Sequence, residues 1–104
     1  MSTANPARGE ASLLVGGESI LLRPSFAALV AAEEELGPLF ALVERAAEGR
    51  LGIGEMASLF FHCAAERPDG VTRERIGQAI AERGLAKTTP ALRTLLTQIL
   101  QGRV

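Results

Sequence analysis

The sequence predicts a mainly α fold with a small N-terminal β-hairpin, the hairpin being followed by about five short helices packed as a single-core bundle. Three observations predict it. A pair of glycines, Gly16 and Gly17, separates two apolar runs at 13–15 and 20–22, as a tight hairpin turn requires. From Phe26 onward, apolar residues recur at helical spacing in five stretches punctuated by Gly or Pro. At 104 residues, with four Phe and neither Trp nor Tyr, the chain has room for one core, and that core must be aliphatic.

Residues 1–10 are small and polar and carry Pro6 and Gly9, the composition of a loose, disordered end. The single helical domain with its hairpin is therefore expected over 11–104. Whether the hairpin turn is centred on Gly16–Gly17 or on Gly17–Glu18, Leu13, Val15, Ile20 and Leu22 share the face expected to lie on the helices. Leu14 and Leu21 share the opposite face and a lone hairpin leaves both edges unpaired, which leaves room for a further segment to cover it. Ser25 is a good N-cap, and Pro24 discourages an earlier start, so the first helix is expected over 26–36 with Gly37 closing it. Its buried stripe is then Phe26, Leu29, Val30 and Leu36, with Glu33 inside the stripe.

Pro38 suits the first position of a second helix, expected over 38–47 with Leu39, Leu42, Val43 and Ala46 inward and Gly49 as its stop. A third helix over 55–66 turns Met56, Leu59, Phe60 and Cys63 inward and leaves Phe61 and His62 on other sides. Pro68, Asp69 and Gly70 break the chain. Thr72 caps a fourth helix whose inner side is Ile76, Ala79 and Ile80; Gly84 ends it, and Leu85 is expected to fold back on Ile80. Thr89 caps and Pro90 opens the fifth, with the stripe Leu92, Leu95, Leu96, Ile99 and Leu100, ending at Gly102.

The chemistry-bearing residues are few. With one His and one Asp, the chain lacks the parts of a hydrolytic triad, and His62 and Cys63 diverge by about 100° as helix neighbours, so they cannot form a dyad. His62 is instead expected at the surface, paired with Glu66 one turn on. That pair would supply two metal ligands, but no second His or Cys completes a zinc site, and no glycine cluster matches a phosphate loop. No catalytic, cofactor-binding or metal-binding residue is assigned, and a non-enzymatic role is expected. Glu33 is expected at the edge of its stripe, in solvent or paired with Arg23 or Arg45.

Eleven basic residues against twelve acidic ones argue against a general polyanion binder. The charge is nevertheless uneven, with an acidic excess before residue 67 and a basic excess after it. The basic C-terminal part resembles a helix-turn-helix, since 72–100 holds two helices and a Gly-containing connection. Pro90, Ala91, Leu92 and Arg93 are poor residues for reading base edges, and residues 85–89 make a long turn, so nucleic acid is not the expected partner. Cys63 is alone, so no internal disulfide forms and a reducing cytoplasm is the natural compartment. No stretch approaches the length of a membrane span.

The run LLVGGESILLRPS, then FAALVAAEEELG followed at once by PLFALVERAAEG, then AAERPDGVTRERIGQAIAERGL and a last Leu-rich helix, resembles the small tail-assembly chaperones of phage-like gene transfer agents. That family is also labelled as tail tube proteins. The likeness extends over nearly the whole chain from Leu13 to Gly102, and it carries no functional residue across. What it implies is a factor that holds the apolar helical tape-measure protein during tail assembly while tail-tube subunits gather. A structural tail component is the second reading, disfavoured because ten strand residues are few for a ring-forming tube.

Two surfaces are expected to bind a partner. Leu14, Leu21 and Phe61 have no assigned burial and would form either a self-association patch or a groove for the tape-measure helix. The acidic run Glu33, Glu34 and Glu35 lies near the C-terminal end of its helix, where negative charge opposes the helix dipole and a basic partner gains by docking.

Overall fold

In the computed structural model the described residues are 4–5, 9–65, 67 and 70–102. Among them the order of elements is β1 (Ala11–Val15), β2 (Glu18–Leu22), α1 (Phe26–Leu36), α2 (Leu39–Ala47), α3 (Ile53–Cys63), α4 (Arg73–Arg83) and α5 (Leu85–Gln101). The expected hairpin and five helices are present. Helix α3 is the centre of the bundle, packed between α1 and α4, while α5 lies against β1, α4 and α2.

Val15 pairs with Glu18, so the hairpin turn is Gly16–Gly17, and both glycines have positive φ, 56° and 85°. Two successive positive φ values are the mark of the type I′ turn that matches strand twist. Leu13, Val15, Ile20 and Leu22 are buried as expected. Leu21 is buried as well, at 9% exposure, which corrects the expectation that it faces outward. The cause lies beyond the hairpin. After α3 the chain runs extended beside β2, where Arg23 N–H donates to the Cys63 carbonyl (2.7 Å), Ala65 N–H donates to the Leu21 carbonyl (2.9 Å), and Ala64 bridges Leu22. The segment after α3 thus covers the β2 edge that the hairpin alone leaves unpaired, and α3 ends at Cys63 because its following backbone is committed to β2.

Helix α1 has the expected cap, Ala28 N–H donating to Ser25 Oγ at 3.2 Å, but not the expected face. Phe26 is 85% and Val30 38% exposed, whereas Ala28 and Ala32 are buried and Leu29 and Leu36 only partly so. Eight of its eleven residues are apolar, so periodicity defines no single stripe. The alanines win because a small side chain lets α1 approach α3 closely. Helix α2 begins at Leu39 with Pro38 in the cap position, buries Leu42 completely and exposes Phe40.

Helix α3 starts at Ile53, two residues before the expected 55, because Glu55 reaches back and accepts from Gly52 N–H at 3.0 Å. The expected extension toward Glu66 is not made, since the helix stops at Cys63 and Ala64 and Ala65 bond to β2 instead; Glu66 itself and the break at Pro68 and Asp69 lie outside the described residues. Helix α4 begins after Thr72, whose Oγ1 accepts from Arg75 N–H at 3.2 Å, and it buries Ile76, Ala79 and Ile80 as expected.

The largest departure is α5. It starts at Leu85, directly after Gly84 (φ 90°), and Pro90 lies inside the helix. Thr88 and Thr89 do not end a loop; their hydroxyls donate to the Leu85 carbonyl at 3.1 and 2.7 Å, tying the first turn together. Leu85 is 56% exposed rather than folded on Ile80, and the α4–α5 connection is one residue, shorter than expected. The loose end expected over residues 1–10 does not reach its last two residues. Gly9 is buried against Gln98, and Glu10, 4% exposed, receives Arg23 Nε at 2.8 Å. Residues 1–3 and 6–8 lie outside the described ones.

Candidate functional site

Glu35 of α1 faces the bundle and gathers three elements. Its Oε2 accepts from Ser58 Oγ of α3 at 3.0 Å and from Arg73 of α4 at 2.5 Å, and its Oε1 lies 2.7 Å from Nε2 of His62 on α3. The His62 hydrogen bond, more than the Ser58 hydrogen bond or the charge of Arg73, holds this carboxyl below its ordinary range, against the opposing effect of partial desolvation. His62 therefore pairs across the bundle with Glu35; the expected pairing with Glu66 falls on a residue outside the described ones. The same acidic run thus splits by role. Glu35 is a structural tie, whereas Glu33 accepts from Leu39 N–H at 3.1 Å and so caps α2. Glu33 is exposed but bound neither to Arg23, which pairs with Glu10, nor to Arg45, which pairs with Glu55. Glu34 is exposed on the outer side of α1.

Ser58, His62 and Glu35 do not form a nucleophile, base and orienter. Ser58 is buried and gives its proton to the carboxylate that His62 also binds, so the imidazole and the hydroxyl share an acceptor instead of facing each other. Cys63 is 1% exposed, and burial pushes its thiol up to about 12, so it is a small core residue without thiolate character. No group of three or more metal-ligating side chains occurs among the described residues.

Leu14, Leu21 and Phe61 do not make one patch. Leu21 is buried, Leu14 is 44% exposed on the hairpin, and Phe61 is half-buried against the core. Two guanidinium groups cover the ring of Phe61, Arg67 at 4.3 Å and Arg73 at 5.0 Å from its centroid, and Arg67 also donates to the Phe61 carbonyl at 2.9 Å.

The open apolar surface is elsewhere. A cavity of about 370 Å³ lies between α2 and α5, lined by Val43, Ala46, Leu92 and Leu96 and bordered by Arg93. A second, of about 270 Å³, is lined by Leu39, Phe40, Ile99 and Glu33. The two share Val43 and Leu100 and so make one groove. Phe40 and Leu100 stand on it 76% and 53% exposed, and Phe26 and Val30 continue the apolar surface along the face of α1 that carries Glu33. Helix periodicity had assigned Val43, Leu92, Leu96 and Leu100 to a closed core. The sign available in sequence was an excess of apolar residues on α2 and α5 over what one small core buries.

No helix among the described residues is long and apolar enough to cross a membrane. Among known proteins, no curated protein and no solved structure matches this chain. A family does match, over residues 8–102, a span that includes both strands and all five helices. This chain therefore belongs to the family described as phage tail tube protein, GTA-gp10.

Proposed function

We propose that this member of a phage tail family is a non-enzymatic tail-assembly factor that acts in the cytoplasm, covering an apolar helix of the tape-measure protein until the tail tube is built around it. The observation that carries the reading is the groove between α2 and α5, with Phe40 and Leu100 exposed on it. Along α5 the groove extends from Thr89 to Gln101, about 18 Å at 1.5 Å per residue, which accepts about three turns of a partner helix. Binding by helix-in-groove contacts is reversible and reads an apolar stripe rather than a fixed sequence, as a holding factor requires. The test is co-expression with a phage-type tape-measure protein. Wild type should keep that protein in the supernatant and co-purify with it, whereas Phe40→Ser combined with Leu100→Ser should do neither while melting at the same temperature. Co-purification that survives both changes would remove the groove from the reading.

A second reading, a subunit retained in the tail, is favoured by the family's description as a tail tube protein. Against it, the sheet has two strands of five residues, and the β2 edge is already used by Ala64. Purified particles separate the two: a tube subunit is present in many copies, a holding factor is absent.

A further inference from the structure

We infer that the groove takes a helix of one electrostatic kind, an amphipathic helix with Lys or Arg flanking its apolar stripe at the end lying on the α1–α2 corner. This rests on the proposed reading that the groove holds a partner helix, and it specifies that partner's charge.

Three features converge at the corner. Residues 26–47 carry four Glu and one Arg; Glu35 is tied to His62 and Arg73, Arg45 is taken up by Glu55 of α3, and Glu33, Glu34 and Glu44 enter no ion pair among the described residues. Glu33 lines the groove itself, and Glu34 and Glu44 are exposed beside its apolar border, Glu34 one turn beyond Val30 and Glu44 one turn beyond Phe40. Two helices also end here, α1 at Leu36 and α5 at Gln101, and neither has a basic residue in its last turn, so the negative ends of two helix dipoles add to the carboxylates. The positive N-terminus of α2 meets them, but Glu33 already occupies its Leu39 N–H. Arg103 follows α5 in sequence and lies outside the described residues. At the other end the groove is bordered by Arg93, so its charge runs from acidic at Glu33 to basic at Arg93.

The experiment uses two synthetic helical peptides of about 18 residues with one shared Leu stripe, one with Lys and one with Glu at the flanking positions, titrated into the whole protein and followed by backbone amide shifts. The Lys peptide should bind about tenfold more tightly at low salt, shift amides of α1, α2 and α5, and lose its advantage as salt rises. Glu34→Lys with Glu44→Lys should reverse the preference, and Phe40→Ser with Leu100→Ser should abolish binding of both peptides. Equal binding of the two peptides, or shifts confined to other elements, would overturn the inference. So would sedimentation of the protein alone as a dimer that Phe40→Ser dissolves, since the occupant would then be a second copy. Failure of the peptide preference with tape-measure co-purification intact removes the charge rule and leaves the function standing. The preference holding while co-purification fails removes the tape-measure protein and leaves the groove's selectivity.

Discussion

Glu35 and His62, 27 residues apart in the chain, meet with 2.7 Å between Oε1 and Nε2 and tie α1 to α3. The tie matters because α1 brings only Ala28 and Ala32 fully into the core, so much of its placement depends on this carboxylate and its partners on α3 and α4. The bond needs a proton on Nε2, which makes His62 the donor.

Replacing Glu35 with Gln should lower stability at neutral pH by about 1 kcal/mol, a figure already reduced for its partial exposure. The loss should depend on pH with a definite sign. The folded-state carboxyl lies below its ordinary 4.5, so the unfolded chain binds the proton more readily, and stability rises with pH across that window. Wild type should keep the full contribution above 4.5 and lose it as pH falls through the lower folded value, bringing the two proteins together. Urea midpoints measured from neutral pH down to about 3 check this; a gap that stays constant would show that Glu35 acts by packing alone.

Leu95 is completely buried, and Leu95→Ala should cost about 2 to 5 kcal/mol. Leu96, which lines the groove and is only partly buried, should cost clearly less. Equal losses in denaturant midpoints would mean that the groove closes over Leu96.

Pro90 lies six residues into α5 and cannot donate to the carbonyl of Ala86. Pro90→Ala should therefore stabilise the protein by about 1 kcal/mol. If the helix instead began at Pro90, as the local Thr-Pro signal suggests, the same change would be neutral or harmful. Thermal melting distinguishes the two.

Gly9 has a φ of 73°, and a Cβ placed there would lie 2.4 to 2.5 Å from Gln98 of α5. Gly9→Ala should cost more than about 1 kcal/mol and lower protection of α5 amides from exchange. Gly17, also at positive φ but with nothing near its Cβ position, isolates the backbone part of that cost in Gly17→Ala.

Elements whose rules act within one or two turns were legible in the sequence. The glycine-turned hairpin, the Ser25 and Thr72 caps, and the inner sides of α3 and α4 all stand as expected, the register choosing Gly16–Gly17 of the two turn centres the sequence allowed. In α4, polar residues occupy the other positions, so one face alone could be buried. Helix α1 offered no such contrast, and its Phe26 and Val30 were assigned inward when the smaller Ala28 and Ala32 take that place. At α5 the Thr-Pro pair suggested a start that Gly84 pre-empts, because the Thr hydroxyls serve equally well inside a first turn.

By itself the sequence determined the class of the fold, the order and number of its elements, and a family whose match runs through them. Tertiary structure alone decided which Glu of the acidic run becomes a tie, that Ala64 covers the β2 edge, and that the open apolar surface lies between α2 and α5 rather than on Leu14, Leu21 and Phe61. The physical reason is range. Caps and turns are settled by neighbours within four or five residues, whereas Glu35, Ser58, His62 and Arg73 come from three helices and acquire one another only when those helices pack.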